Sequence, residues 1–311
     1  MVRKALASIL PCSVGIIAPA SAPRTPESLE SGLSNLRLAG FQPCFKRSAF
    51  TPHGFLAGTD QERLNELNAF LNTTEVNALF CVRGGYGTLR LLDGVDYAAA
   101  RKHPKTLVGY SDITALQLAL FKHAGWIGIS GPMVAVEWPN PDESNCSQFI
   151  ELISGRLAKG RLDSAEHPLI SVYDGSARGT LLGGNLSLIA KMCGSRHLPD
   201  MTGAILFLEE IGESPYRIDG LLAQLRLSGI LQDLSGIVLG GFTDAESLSG
   251  GSTLSLTEVF QEYFRDLGIP VASGLRYGHF PAKVSVPIGI QAELLCNDGQ
   301  VRFNILEPVV I

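Results

Sequence analysis

In TLVGYSDITALQLAL, residues 106–120, an apolar run breaks at Gly-Tyr-Ser-Asp and resumes with helical spacing. Ser111 stands at the break and admits two kinds of chemistry. A serine or aspartate just ahead of a helix accepts hydrogen bonds from the free N–H groups of the first turn. Thr114 and Gln117 also have the three-residue spacing of a capping box. Alternatively, a strand-to-helix turn lifts a serine hydroxyl out of a sheet and aims helix-terminal N–H donors at an oxyanion. GYSDI lacks the G-x-S-x-G spacing, so the local motif does not choose between cap and nucleophile. If Ser111 is the nucleophile, Asp112 takes over the cap.

Three further stretches carry reactive residue types. VRGGYG, residues 82–87, reads as a turn needing positive φ. A dinucleotide fingerprint started at Gly85 fails, because position 90 is Arg90. A glycine pair, Gly84 and Gly85, lets backbone N–H groups approach a carbonyl closely, and Arg83 can attract a carboxylate. AILFLEEIGE ends an apolar strand with Glu209 and Glu210, and SGLRYGHFPAKVS sets His279 in a Gly/Pro loop. Nucleophile, acid and histidine in the order Ser…Glu…His form a hydrolase triad, since a serine hydroxyl needs a base to take its proton. His53, His103, His123, His167 and His197 compete for the base role on spacing alone. Cys81 is a weaker nucleophile candidate, because ALFCV reads as a buried strand and buried thiols are inert.

Elements that could position these residues alternate along the first half. VGIIAPA is strand-like. TPESLESGLSNLRLAG is a helix with Thr25 as cap, Pro26 at its first position and Gly40 as stop. QERLNELNAFLN is a helix carrying Leu64, Leu67 and Leu71. ALFCV and TLVGY are strands, SDITALQLALFKHAG is a helix and WIGISGP a short strand. This alternation implies a mostly parallel sheet covered on both faces, with its site beyond the carboxyl ends of the strands. From Glu137 to Arg178 the pattern degrades, which suggests a crossing between domains. AILFLEE and GIVLGGF then read as strands. SPYRIDGLLAQLRLSG reads as a helix capped by Ser214 and stopped by Gly229, and LTEVFQEYFRDLG as a helix with Val259, Phe260, Tyr263, Phe264 and Leu267 inward. Late strands without helices between them indicate a second, smaller, mixed α+β domain. The expected division is 1–137, a crossing at 138–178, and 179–311.

Bulk properties narrow the partners. The chain has 311 residues, with 25 basic and 30 acidic side chains and a net charge of −5. No block of basic residues occurs, which disfavours nucleic acid and anionic membrane as partners. Six scattered cysteines without a C-x-x-C pair suggest reduced thiols and a cytoplasmic protein. No metal or other cofactor is indicated, and no apolar run is long enough to span a membrane. MVRKALASILPCSVGIIAPASA imitates a secretion signal, but Pro11 and Gly15 interrupt it and SVGIIAPAS reads as a first strand.

IIAPAS, AGTDQERLNELN, VRGGYGTLRLL, GYSDITALQ, SGPM, GTLLGGNLSLI, LFLEEIGESPYRID and GLRYGH occur in this order. Together they resemble the LD-carboxypeptidase (muramoyltetrapeptide carboxypeptidase) family of serine peptidases, from about Ser13 to the C-terminus. The resemblance implies an α/β N-terminal domain with a doubly wound, mostly parallel sheet, like class I glutamine amidotransferases, and a smaller mixed α+β C-terminal domain. It implies a cytoplasmic, usually homodimeric enzyme that removes the terminal D-alanine from murein tetrapeptides. Its triad would be Ser111, Glu209 (not Glu210) and His279, and its oxyanion hole the N–H of Asp112 with that of Gly84 or Gly85. A related branch hydrolyses microcin C and gives self-immunity, and a non-catalytic α/β ligand-binding protein is a further alternative. Two departures stand out: Gly220 where an arginine often follows the YRI(D/E) run, and a leading dozen residues, a possible disordered leader.

Overall fold

The computed structural model describes residues 2–46, 50–163, 167–245 and 254–311. The chain forms two compact units, one of Met1–Ala158, Val284–Ile290 and Pro308–Ile311, the other of Lys159–Lys283 and Gln291–Glu307.

In the first unit the expected alternation produces strands β1 (Cys12–Ile17), β2 (Phe41–Cys44), β3 (Ala78–Cys81), β4 (Thr106–Val108) and β5 (Gly128–Ser130). Between them lie helices α1 (Pro26–Leu38), α2 (Asp60–Leu71), α3 (Tyr97–Lys102) and α4 (Ile113–Ala124). These five strands pair in parallel in the order β5-β4-β3-β1-β2. The sheet gains one antiparallel edge strand from far along the chain, Val286–Ile288 (β12 in chain order), which pairs with β5. β3 and β4 are wholly buried, as befits strands covered on both faces. Thr25 caps α1 through the Ser28 N–H at 3.1 Å, with Pro26 at the first position as expected. On α2, Leu67 and Leu71 are buried. So, against the polar reading of their types, are Arg63 and Glu66.

Two expectations change here. Where a disordered stretch was expected, residues 3–8 are tied down: Arg3, Ala7 and Ser8 donate backbone hydrogen bonds to Gly125, Ile311 and Ile153, and Ala5 and Ser8 are buried. Within the stretch read as irregular, helix α5 (Glu143–Ile153) forms, capped by Asp142 and anchored by Phe149, Leu152 and Ile153. Its polar face is long enough to hide the apolar spacing. Residues 164–166 of that stretch lie outside the described residues.

The second unit holds an eight-stranded mixed sheet ordered β6-β14-β13-β8-β9-β10-β11-β7. Its strands are β6 (Gly160–Arg161), β7 (Ile170–Tyr173), β8 (Gly175–Asn185), β9 (Ile205–Ile211), β10 (Gly236–Thr243), β11 (Val271–Ser273), β13 (Gln291–Asn297) and β14 (Gln300–Ile305). β8 to β11 run parallel; β7, β13 and β14 pair antiparallel at the flanks. The helices are α6 (Leu186–Met192), α7 (Pro215–Leu227), α8 (Ile230–Asp233) and α9 (Leu256–Phe264). Ser214 precedes α7 but its side chain caps nothing, whereas Ser255 forms a full capping box with Glu258 on α9. On α9 Val259, Tyr263 and Phe264 are buried and Phe260 is half-buried; Leu267, expected on the same helix, lies just beyond its end and is half-buried too. The architecture is thus a two-domain α/β protein with a doubly wound first domain.

Candidate active site

At the carboxyl ends of β1, β3 and β4 three loops meet, where open α/β sheets bind ligands. Ser111 follows β4 and is half-buried, with φ +64. A non-glycine residue in that left-handed region is strained by about 1–2 kcal/mol. Gln117 on the following helix supports the turn from beneath: its Nε2 donates to the carbonyls of Leu107, Gly109 and Ile129 at 3.3, 3.0 and 3.0 Å. That triple contact replaces the capping box expected of Thr114 and Gln117.

Gly84 lies against the serine. A Cβ built on it would stand 3.0 Å from Ser111 Cβ and 3.2 Å from Ser111 Oγ. Gly85 has φ +105, and a Cβ there would meet Ser21 Oγ at 2.3 Å. The backbone N–H groups of Gly84, Gly85 and Asp112 donate to no acceptor among the described residues. The turn itself is pinned. Ser21 N donates to the Gly84 carbonyl at 3.2 Å and Tyr86 N to Ser21 Oγ at 3.2 Å. Buried Arg63 donates to the carbonyls of Pro19 and Gly87. Sequence reading passed over Arg63 and Ser21; their signal, a charged residue on the apolar face of α2 and a serine in IIAPAS, is visible only afterwards.

Asp112 does not cap α4 through its side chain, contrary to expectation. Its buried carboxylate accepts from Thr88 N at 2.8 Å, and Thr88 Oγ1 donates back to the Asp112 carbonyl at 2.5 Å. Burial raises the Asp112 carboxyl above its usual range, with the Thr88 bonds pulling the other way. Asp112 therefore ties the serine turn to the glycine turn. Cys81 is fully buried, and burial together with Glu66 and Asp112 drives its thiol far above the usual value, which removes it as a nucleophile.

In the second unit, β9 delivers two consecutive acids with opposite fates. Glu209 is fully buried; its Oε2 stands 2.7 Å from His279 Nδ1 and its Oε1 accepts from Asn185 Nδ2 at 3.2 Å. Glu210 accepts from Asn185 Nδ2 at 2.9 Å and from the Ser187 N–H at 2.7 Å, at the start of α6. A carboxylate oxygen in this pairing accepts, so Nδ1 is the ring nitrogen that donates and Nε2 is the one turned away from Glu209. The loop bearing His279 is fastened to β10: Leu275 N donates to Leu239 O at 3.1 Å and Gly241 N to Tyr277 O at 2.7 Å. Lys283 Nζ closes it on the Gly278 carbonyl at 3.1 Å, and Tyr277 packs edge-on against Phe207 at 5.1 Å. Of the competing histidines, His167 Nε2 lies 2.6 Å from an Arg276 nitrogen and His123 packs on Tyr97 at 4.4 Å. Asn185, which touches both acids, was the residue of this group that sequence reading did not single out.

The structure thus joins Ser111 with the glycine turn in one unit and Glu209 with His279 in the other. Among the described residues no His/Cys/Asp/Glu group has the arrangement of a metal site, and no helix is long and apolar enough to cross a membrane. All six cysteines are free thiols.

Family models for the LD-carboxypeptidase N-terminal and C-terminal domains match residues 14–131 and 178–294. The chain belongs to the LD-carboxypeptidase family and is a peptidase by that membership. It is 36% identical over 282 residues to a protein of Bacillus subtilis named "Probable murein peptide carboxypeptidase", covering 91% of this chain and 88% of the relative. Over 289 residues it is 34% identical to the murein tetrapeptide carboxypeptidase of Pseudomonas aeruginosa, covering 90% and 92%. Among solved structures, the muramoyltetrapeptide carboxypeptidase of Oxalobacter formigenes superposes with a TM-score of 0.81 at 32% identity, covering 95% and 99%. The microcin C7 self-immunity protein MccF superposes with a TM-score of 0.89 over 99% of both chains, at 23% identity, a likeness of fold.

Proposed function

We propose that this protein is a serine LD-carboxypeptidase that releases the terminal D-alanine from murein tetrapeptides, acting in the cytoplasm during cell-wall recycling, as a homodimer. Ser111 is the nucleophile, His279 the base and Glu209 the acid that orients it. The observation that carries the reading is the buried Glu209 beside His279 Nδ1 at 2.7 Å, which leaves Nε2 to take a proton. Ser111 Oγ attacks the carbonyl ahead of D-alanine as His279 accepts its proton. The N–H groups of Asp112 and of Gly84 or Gly85 stabilise the oxyanion. His279 then protonates the leaving amine, and water releases the acyl-enzyme by the reverse path. The substrate class rests on the names of the relatives together with Arg83, which suits a carboxylate. No metal or cofactor takes part.

The test is D-alanine release from a muramoyl tetrapeptide by wild type and Ser111→Ala. Release that persists in the variant overturns the assignment of the nucleophile.

One observation favours a second reading, an amide hydrolase of the microcin self-immunity kind on the same triad. Phe55 and Tyr86 are exposed and meet edge to face at 5.2 Å beside the glycine turn, a surface on which a base can stack. Cleavage of a peptidyl nucleotide with no cleavage of the tetrapeptide would select it.

A further inference from the structure

Arg276 spends its donors on the loop that carries His279. Its Nε donates to the Ala282 carbonyl at 3.0 Å and its Nη2 to the Pro281 carbonyl at 3.5 Å. Nε and Nη2 form one edge of the planar guanidinium, so two parallel N–H donors meet two successive carbonyls. Nη1 donates to His167 Nε2 at 2.6 Å, since a guanidinium has nothing with which to accept. Among the described residues Arg276 forms no ion pair with a carboxylate. Its Cζ lies 5.9 Å from the centre of the Phe280 ring. From the other end of the loop, Lys283 Nζ donates to the Gly278 carbonyl at 3.1 Å. Two cations thus lace residues 276 to 283 into a closed loop that contains His279.

The return half of that loop needs holding. Ala282 has φ +55, in the left-handed region that a residue with a Cβ seldom takes. Strain of this kind persists only where the surroundings impose it. The outgoing half is fixed on β10 by the Tyr277 carbonyl, and Phe280 seats on Gly241, where a Cβ would stand 2.4 Å from the ring. Among the described residues no backbone–backbone hydrogen bond reaches Phe280, Pro281 or Ala282. The strained carbonyl of Ala282 is the one that Arg276 Nε holds. We propose that Arg276 is a positioning residue for the reaction: by holding Pro281 and Ala282 it keeps the His279 ring seated on Glu209, with Nδ1 at 2.7 Å. This rests on the triad reading, in which His279 is the base. A base displaced by a fraction of its reach costs turnover far more than it costs binding.

The experiment measures D-alanine release from a muramoyl tetrapeptide and the second-order rate of fluorophosphonate labelling, in wild type, Arg276→Met, Arg276→Lys, Glu209→Gln and the Arg276→Met/Glu209→Gln double variant. Arg276→Met keeps an apolar stem beside Phe280 and removes every donor. It should lower kcat and labelling by about 10- to 100-fold with KM nearly unchanged. Lysine, a point charge in place of a fork, should recover part of the loss. In Glu209→Gln the imidazole has already lost its anchor, so removing Arg276 there should cost less than about 3-fold more. A merely structural role would multiply instead: the full Arg276→Met loss repeated in that background overturns the proposal, as does an Arg276→Met protein as fast as wild type. Arg276→Lys covers an Arg276→Met protein that does not fold, since its partial loss must likewise shrink in Glu209→Gln. Wild type that labels without releasing D-alanine defeats the substrate reading alone, and the labelling rates still decide the role of Arg276. Wild type that does not label, or Glu209→Gln that labels at the wild-type rate, defeats the triad and the role of Arg276 with it.

Discussion

Glu209 Oε2 stands 2.7 Å from His279 Nδ1, while the next residue, Glu210, bonds the Ser187 N–H at the start of α6. Asn185 Nδ2 bridges the two carboxylates, which otherwise have different partners. Glu209→Gln should lower kcat about 10²- to 10⁴-fold, because the imidazole loses the acceptor that fixes its tautomer. Glu210→Gln should instead cost about 1–2 kcal/mol of stability with kcat nearly intact. Steady-state kinetics and thermal melts of both variants check this; a larger kcat loss in Glu210→Gln would reverse the two roles.

Ser111 at φ +64 offers a test of strain separate from chemistry. Ser111→Ala and Ser111→Gly should both lose D-alanine release and labelling by a fluorophosphonate, while chelators leave the wild-type rate unchanged. Only glycine relieves the left-handed backbone, so Ser111→Gly should be more stable than Ser111→Ala by about 1 kcal/mol. Equal melting temperatures would deny the strain.

The glycine pair should divide between activity and folding. A methyl on Gly84 would press on Ser111 Cβ at 3.0 Å, so Gly84→Ala should chiefly reduce kcat, by about 10-fold or more. Gly85→Ala meets both φ +105 and Ser21 Oγ at 2.3 Å, so it should chiefly destabilise, by roughly 1–3 kcal/mol. Melting curves beside kcat for each variant distinguish the two, and a Gly85→Ala protein as stable as wild type would contradict the close approach.

Burial lowers buried Lys105 from 10.5 to about 8. Between those values the unfolded chain holds a proton that the native chain has released, so stability rises with pH across this window. Below about 8 the buried charge costs its full amount, on the order of 1–3 kcal/mol. Lys105→Met should therefore stabilise the protein most at pH 7, with the gain shrinking towards pH 10. Urea melts at the two pH values measure it; a gain that grows with pH would refute the assignment.

The alternation of β1 to β5 with α1 to α4 was legible because helix and strand periods, Thr25, Pro26 and the glycine stops act over a few residues. GYSD and RGGYG were legible as turns because their residues need special backbone angles, whereas LFLEE, a strand end, and YGH joined them as a set only through the order in which they resemble one family. α5 was not, since its apolar residues are only one narrow stripe in a polar segment. Nor was the pairing of Val286–Ile288 with β5, which joins strands more than 150 positions apart.

Sequence alone determined the fold class and the short list of reactive residues, since both rest on local patterns of polarity and turn chemistry. Tertiary structure decided how those residues are used. It turned the Asp112 carboxylate from the helix to Thr88, put Arg63 beneath the glycine turn and set Asn185 between two acids. Such contacts depend on packing between distant segments, where a buried polar group must find its partner wherever the fold brings one.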